Sequence, residues 1–182
     1  MRSMKELKTV ALVVPVLALL LITGFSVLAQ SGPPPPDATP GAVGFKGTLL
    51  AAIDPSVAPG YQLQLAESVF EPGAYVTSHM HPTAIAVCVQ SGALGFAIQH
   101  GMATITRAAA DGGEATTEPL LPGTDIVLEP RDCVSFDHFV AHTSHTGWNA
   151  SDGQTVLVEA RLVKTGEPFT VFINAEGTPV AP

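Results

Sequence analysis

The 182-residue chain is poor in basic side chains, with eight Lys and Arg against sixteen Asp and Glu and a formal charge of −8. Three of the eight, Arg2, Lys5 and Lys8, fall within the first eight positions, so beyond residue 30 fifteen acidic residues face five basic ones. Such a body has no cationic footprint with which to release phosphate counterions, which excludes nucleic acid as a partner. The same shortage excludes binding to an anionic membrane surface. Charge of either sign is scarce, at 13%, while 46% of residues are hydrophobic, so wholesale disorder is excluded as well. The chain carries no phosphate loop, no dinucleotide fingerprint and no Ser-His-Asp order. No internal repeat at a solenoid period occurs. The length is that of about one domain.

One long hydrophobic run is present, and it is N-terminal. Val10 to Ala29 contains no charge and follows the positive cluster of Arg2, Lys5 and Lys8. Val27-Leu28-Ala29 places small residues where a signal peptidase cuts, before Gln30. Residues 1–29 therefore read as a hydrophobic signal helix. An uncleaved anchor is the competing reading, since about twenty helical residues just span a bilayer core. Either way the remainder is expected to be exported, secreted or extracytoplasmic, because the positive flank stays inside. No Cys follows the run, which argues against lipid attachment. Residues 30–44, with Pro33 to Pro36, read as a Pro-rich extended linker. Residues 45–182 are left for the folded domain.

That domain lacks any sustained 3.6-residue apolar period. Tyr61–Leu65 alternates with a period of two, and Ala86–Gln90, Leu94–Ile98, Met102–Arg107, Thr124–Glu129, Thr155–Leu162 and Pro168–Asn174 are further strand candidates. Gly and Pro turns separate them, at Gly60, Gly73, Gly92, Gly113, Gly123 and Gly153. Short strands with turns every eight to twelve residues predict an all-β sandwich or barrel.

Six histidines are present. His79 and His81 stand two apart, so on a strand their imidazoles point to one side. Five residues separate Gly73 from His79, and Gly92 closes the following strand. Further on, Gly123, Pro130, His145 and Asn149 form a second group. These two groups resemble the motifs of the cupin superfamily. Its first motif is Gly, five residues, His-x-His, three or four residues, Glu, six residues, Gly. Its second is Gly, five residues, Pro-x-Gly, two residues, His, three residues, Asn. Gly73, His79, His81 and Gly92 match the first in register, and the second group matches more loosely. The Glu position of the first motif holds Ile85, which cannot bind metal. In the second, six residues separate Gly123 from Pro130, and the stretch from Pro130 to His145 is long.

The resemblance covers about residues 45–165. It implies a cupin-type double-stranded β-helix, or jelly-roll, barrel behind the signal helix. It also implies that His79, His81 and His145 converge on one divalent transition metal: Fe, Mn, Zn, Cu or Ni. His142 is the alternative third ligand. Tyr75, Ile85, Phe96 and Trp148 are expected to line the pocket. Asp132 and Asp137 either orient a ligand histidine or are solvated loop charges, and His138 and His100 are given no ligand role. Cys88 should face away from the cavity, and it either pairs with Cys133 or both remain free thiols. Outside the ligand set no residue stands out as a general base. The expected function is a metal-binding module that takes a small molecule in the barrel. A metal-dependent dioxygenase or isomerase acting on a small organic substrate is the alternative. A homodimer through edge strands is expected.

Overall fold

The computed structural model describes residues 31–110 and 113–180. The expected signal helix at residues 1–29 lies outside the described residues. The strands are β1 (Ala42–Ile53), β2 (Tyr61–Met80), β3 (Thr83–Ser91), β4 (Leu94–His100), β5 (Ala103–Arg107), β6 (Thr116–Leu120), β7 (Asp125–Leu128), β8 (Cys133–Asp137), β9 (Ser144–Asn149), β10 (Thr155–Lys164) and β11 (Val171–Phe172). One short helix, α1 (His138–Ala141), follows β8.

All pairings are antiparallel, and the sheet runs β6-β5-β8-β3-β10-β2-β9-β4-β7, with β1 and β11 also on β2. The sheet curls because β2 serves both halves. Its Tyr61–Phe70 stretch pairs with β10, and its Tyr75–Met80 stretch pairs with β9. Between them lies Glu71-Pro72-Gly73, where Gly73 takes φ 76°, a conformation that costs an L side chain strain. Gly92, at φ 74°, closes the β3–β4 turn so tightly that a Cβ would sit 2.6 Å from the Gln154 carbonyl.

The core follows from strand alternation. On β3, Thr83, Ile85, Val87 and Val89 are buried, and on β8 Val134 and Phe136 are. Phe70, Leu94, Phe96 and Leu157 complete the interior, and each such side chain contributes roughly 1.5–3 kcal/mol on burial. On the outer face of β3 and β8, Cys88 stands directly opposite Cys133 and the two form a disulfide. Cys88 thus points away from the interior, and the question left open by the sequence resolves as a pair.

Asn149 secures the bend in β2. It is fully buried, and its Nδ2 donates to the carbonyls of Phe70, Glu71 and Gly153. Its Oδ1 accepts from the Ser151 amide and from the hydroxyls of Ser151 and Thr155. The stretch after Pro130, expected as a loop, instead contains β8 and α1. Asp132 is buried at the start of β8 and accepts from Arg107 Nη1 at 2.9 Å, from the Ala108 amide at 2.8 Å and from the Glu129 amide. Burial pushes its carboxyl up, but these donors outweigh it and hold the group below the usual Asp range. Asp137 caps α1 by accepting from the Phe139 amide. Neither aspartate touches a histidine of the site described next.

Candidate metal centre

The register between β2 and β9 builds the site. Val76 pairs with Gly147 and His79 with His145, so three steps on β2 match two on β9. This bulge changes the parity of β2. Val76 and His79, an odd number of residues apart, both face the interior cavity. His145 then lies directly across from His79. His81 follows just past the end of β2, in the tight turn that begins β3.

The ligand atoms of His79, His81 and His145 lie within 4.8 Å of one another, and all three side chains are buried. His79 Nδ1 donates to the Thr77 carbonyl at 2.7 Å and His81 Nδ1 donates to the Phe169 carbonyl at 3.0 Å. A carbonyl only accepts, so both Nδ1 atoms carry the proton and both Nε2 atoms of the neutral rings present lone pairs. Those two Nε2 atoms face each other at 3.2 Å. Two lone pairs at that distance repel unless a cation lies between them.

A proton is a poor candidate for that cation. Burial pushes His79 down from 6.5 to about 4 despite its bond to the Thr77 carbonyl. Burial first, then the neighbouring His79, pushes His81 well below its ordinary value, and burial does the same to His145. A divalent ion fits better. Two imidazole nitrogens at about 2.0–2.1 Å from one ion stand roughly 3–3.4 Å apart. His145 Nδ1 is also buried with no hydrogen-bond partner among the described residues, which is uncommon for a buried polar atom.

Aromatic packing fixes the ring planes. His81 stacks on Phe169 at 4.2 Å and His145 stacks on Phe96 at 4.7 Å. Phe172 of β11 pairs in register with His79, so the C-terminal segment closes over the site. The cavity beside the histidines measures about 530 Å³.

Ile85 and Phe96 line this cavity. Ile85 contributes an apolar wall where the family motif has a Glu. Tyr75 and Trp148 do not line it, which corrects the expectation for both. They pair with each other across β2 and β9. Since His145 and Gly147 face inward, alternation turns Trp148 to the opposite face, where it packs against Gly95 so closely that a Cβ there would fall 1.9 Å from its ring. His142, the alternative third ligand, is also corrected: it caps the C-terminal end of α1 at φ 50° and stands outside the cluster. His138 bonds the Thr143 carbonyl.

Sequence reasoning missed Glu159 and Arg161. Both line the cavity from β10, with Ser68 donating to Glu159 and Arg161 paired to it at 3.2 Å. No residue outside the ligand set had stood out from the sequence as a general base; Glu159 places a carboxylate on the cavity wall. The available signal was that Glu159 and Arg161 share the parity of Leu157 on a strand otherwise rich in Val and Ala.

No protein-family model matches the sequence, and no curated protein matches it either. Among solved structures, the L-ribose isomerase of Cellulomonas parahominis, determined with L-psicose, aligns at 13% identity with a TM-score of 0.50, over 73% of this chain and 70% of that one. A cupin 2 domain-containing protein of Halorhodospira halophila aligns at 17% identity with a TM-score of 0.44, over 74% and 73%. The curled antiparallel sheet and the fold likeness to the isomerase structure are consistent with the expected jelly-roll barrel, and the barrel encloses a buried three-histidine cluster.

Proposed function

We propose that this chain is an exported cupin-type module that holds one divalent transition metal on His79, His81 and His145 and binds a small molecule in the adjoining cavity. The observation that carries this reading is the pair of Nε2 lone pairs facing at 3.2 Å between rings whose Nδ1 atoms are both engaged. A bound ion would supply a Lewis-acidic position for an oxygen-bearing ligand. The protein's own residues orient the imidazoles through the Thr77 and Phe169 carbonyls and exclude water with Ile85, Phe96 and Phe169. Export is supported by the N-terminal sequence and by the Cys88–Cys133 disulfide, since such bonds persist in oxidising compartments.

A second reading, a metal-dependent dioxygenase or isomerase acting on a small organic substrate, is favoured by Glu159, a buried carboxylate in the same cavity. A homodimer is favoured by β1, whose outer edge pairs with no strand among the described residues. Its Leu49, Leu50 and Ile53 are exposed beside Leu63 and Leu65 of β2. Light scattering on the purified chain tests the dimer.

The decisive experiment is metal content by elemental mass spectrometry on protein purified without chelator, beside His79→Ala and His81→Ala. Near-stoichiometric metal that both variants lose is the expected result. Metal absent from the wild type after reconstitution would overturn the reading.

A further inference from the structure

The cavity has a second polar end, away from the histidines. Strand alternation on β10 turns Glu159 and Arg161 to the same interior face, and Ser68 and Gln64 meet them from β2. Arg161 Nη1 donates to Glu159 Oε2 at 3.2 Å and Nε donates to Gln64 Oε1 at 2.8 Å. The remaining terminal nitrogen, Nη2, has no hydrogen-bond partner among the described residues. The side chains of Arg161 and Glu159 are only 14% and 9% exposed. The guanidinium lies 3.7 Å over the Phe169 ring, whose centroid is 4.2 Å from that of His81. The guanidinium carbon of Arg161 therefore stands within about 8 Å of the His81 ring centroid.

Stability does not explain a charged pair in this place. Removing two ions from water costs several kcal/mol each, and an apolar pair of the same volume commonly serves a core as well or better. The pair also leaves its cation incompletely used. A planar guanidinium with free N–H groups matches a carboxylate, and the cavity that Arg161 lines together with the histidines carries Phe70, Phe96, Phe136 and Phe172 on its wall. Glu159 holds the guanidinium's other side, so the charge offered to a ligand is tempered rather than absent.

We propose that Arg161 is the anchor for a small organic acid, taking its carboxylate at Nη2 while the apolar body lies between Phe70 and Phe172 and the far end reaches towards the histidines. Glu159 sets the strength of that anchor by competing for the guanidinium. This inference rests on the reading of the cavity as a ligand pocket.

Titration calorimetry with benzoate and its uncharged isostere benzamide tests it, on the full chain, with metal content measured in the same preparations. Benzoate binds better than benzamide in the wild type. Arg161→Met lowers that ratio about tenfold, the scale of one charge-assisted contact, while Glu159→Gln raises it. A purely structural ion pair predicts that both variants lose binding together. That result, an unchanged ratio in Arg161→Met, or no benzoate binding by the wild type overturns the proposal. If Arg161→Met does not fold, Glu159→Gln decides alone, because only a ligand-facing arginine turns that change into a gain. Metal absent from the wild type with the ratio still falling in Arg161→Met refutes the three-histidine reading and leaves this one. Metal retained with an unmoved ratio does the reverse.

Discussion

Asn149 and the three histidines are both buried polar clusters, and they differ in how completely they are satisfied. Asn149 makes three hydrogen bonds through Nδ2 and three through Oδ1, all to groups of its own neighbourhood. His79 and His81 satisfy only their Nδ1 atoms within the protein, and His145 Nδ1 has no partner among the described residues. A closed network ties chain segments together and has no capacity left for a ligand. A cluster that turns unsatisfied atoms inward costs stability until something fills it. The first belongs to the fold and the second to the function.

The comparison breaks most visibly at Asn149. Asn149→Ala removes a donor from the carbonyls of Phe70, Glu71 and Gly153 and an acceptor from the Ser151 amide and two hydroxyls. A loss of about 3–5 kcal/mol is expected in urea unfolding, whether or not metal is present. A loss below about 1 kcal/mol would show that the bend in β2 is held elsewhere.

The histidine cluster should respond to pH. Because burial lowers His79 from 6.5 to about 4, the unfolded chain takes up the proton first. Stability of the metal-free protein is full above pH 6.5 and falls as pH drops from there towards 4, by about 3 kcal/mol from His79 alone. Unfolding at pH 7 and pH 4.5 measures this. His79→Ala should flatten the profile, and an unchanged slope would count against a neutral buried imidazole.

Metal addition is expected to stabilise by about 2.7 kcal/mol at a hundredfold excess over Kd. This gain should vanish in His81→Ala and survive in His142→Ala. A melting shift lost equally in both variants would return His142 to the ligand set.

The smallest effect concerns Asp132, a satisfied charge outside both clusters. Its carboxyl is held below the ordinary Asp value by the Ala108 amide and Arg107, against burial. Its contribution is present above the unfolded pKa of about 3.9 and is lost as pH falls below it. Asp132→Asn should cost about 1–2 kcal/mol at pH 7 and less at pH 3. An equal cost at both would assign the effect to packing rather than charge.

Strands with clean alternation, as in Tyr61–Leu65, or with a short apolar run, as in Ala86–Gln90, were legible. The histidine pair was legible because two residues of one rare type stood at strand spacing between two glycines. β8 was hidden by its length: only Val134 and Phe136 carry its apolar face, between cysteine, serine and aspartate. β9, Ser-His-Thr-Gly-Trp-Asn, has Trp148 as its one large apolar residue and owes its strand to pairing on both sides, with β2 and β4. Trp148 was assigned to the pocket because a large aromatic between His145 and Asn149 invites it, but strand residues an odd number apart face opposite ways.

By itself the sequence determined a β domain behind an N-terminal apolar segment, with turns at Gly73 and Gly92 and an apolar wall at Ile85, because alternation and glycine torsions are local properties. Only the tertiary structure decided which parity faces the cavity. On β10 the apolar series Val156, Val158, Ala160 and Leu162 looks like the buried face, yet Glu159 and Arg161 point inward. On β2 the bulge after Val76 sets His79 inward opposite His145. Both outcomes depend on register with a neighbouring strand, a pairing between residues far apart in sequence that no local pattern encodes.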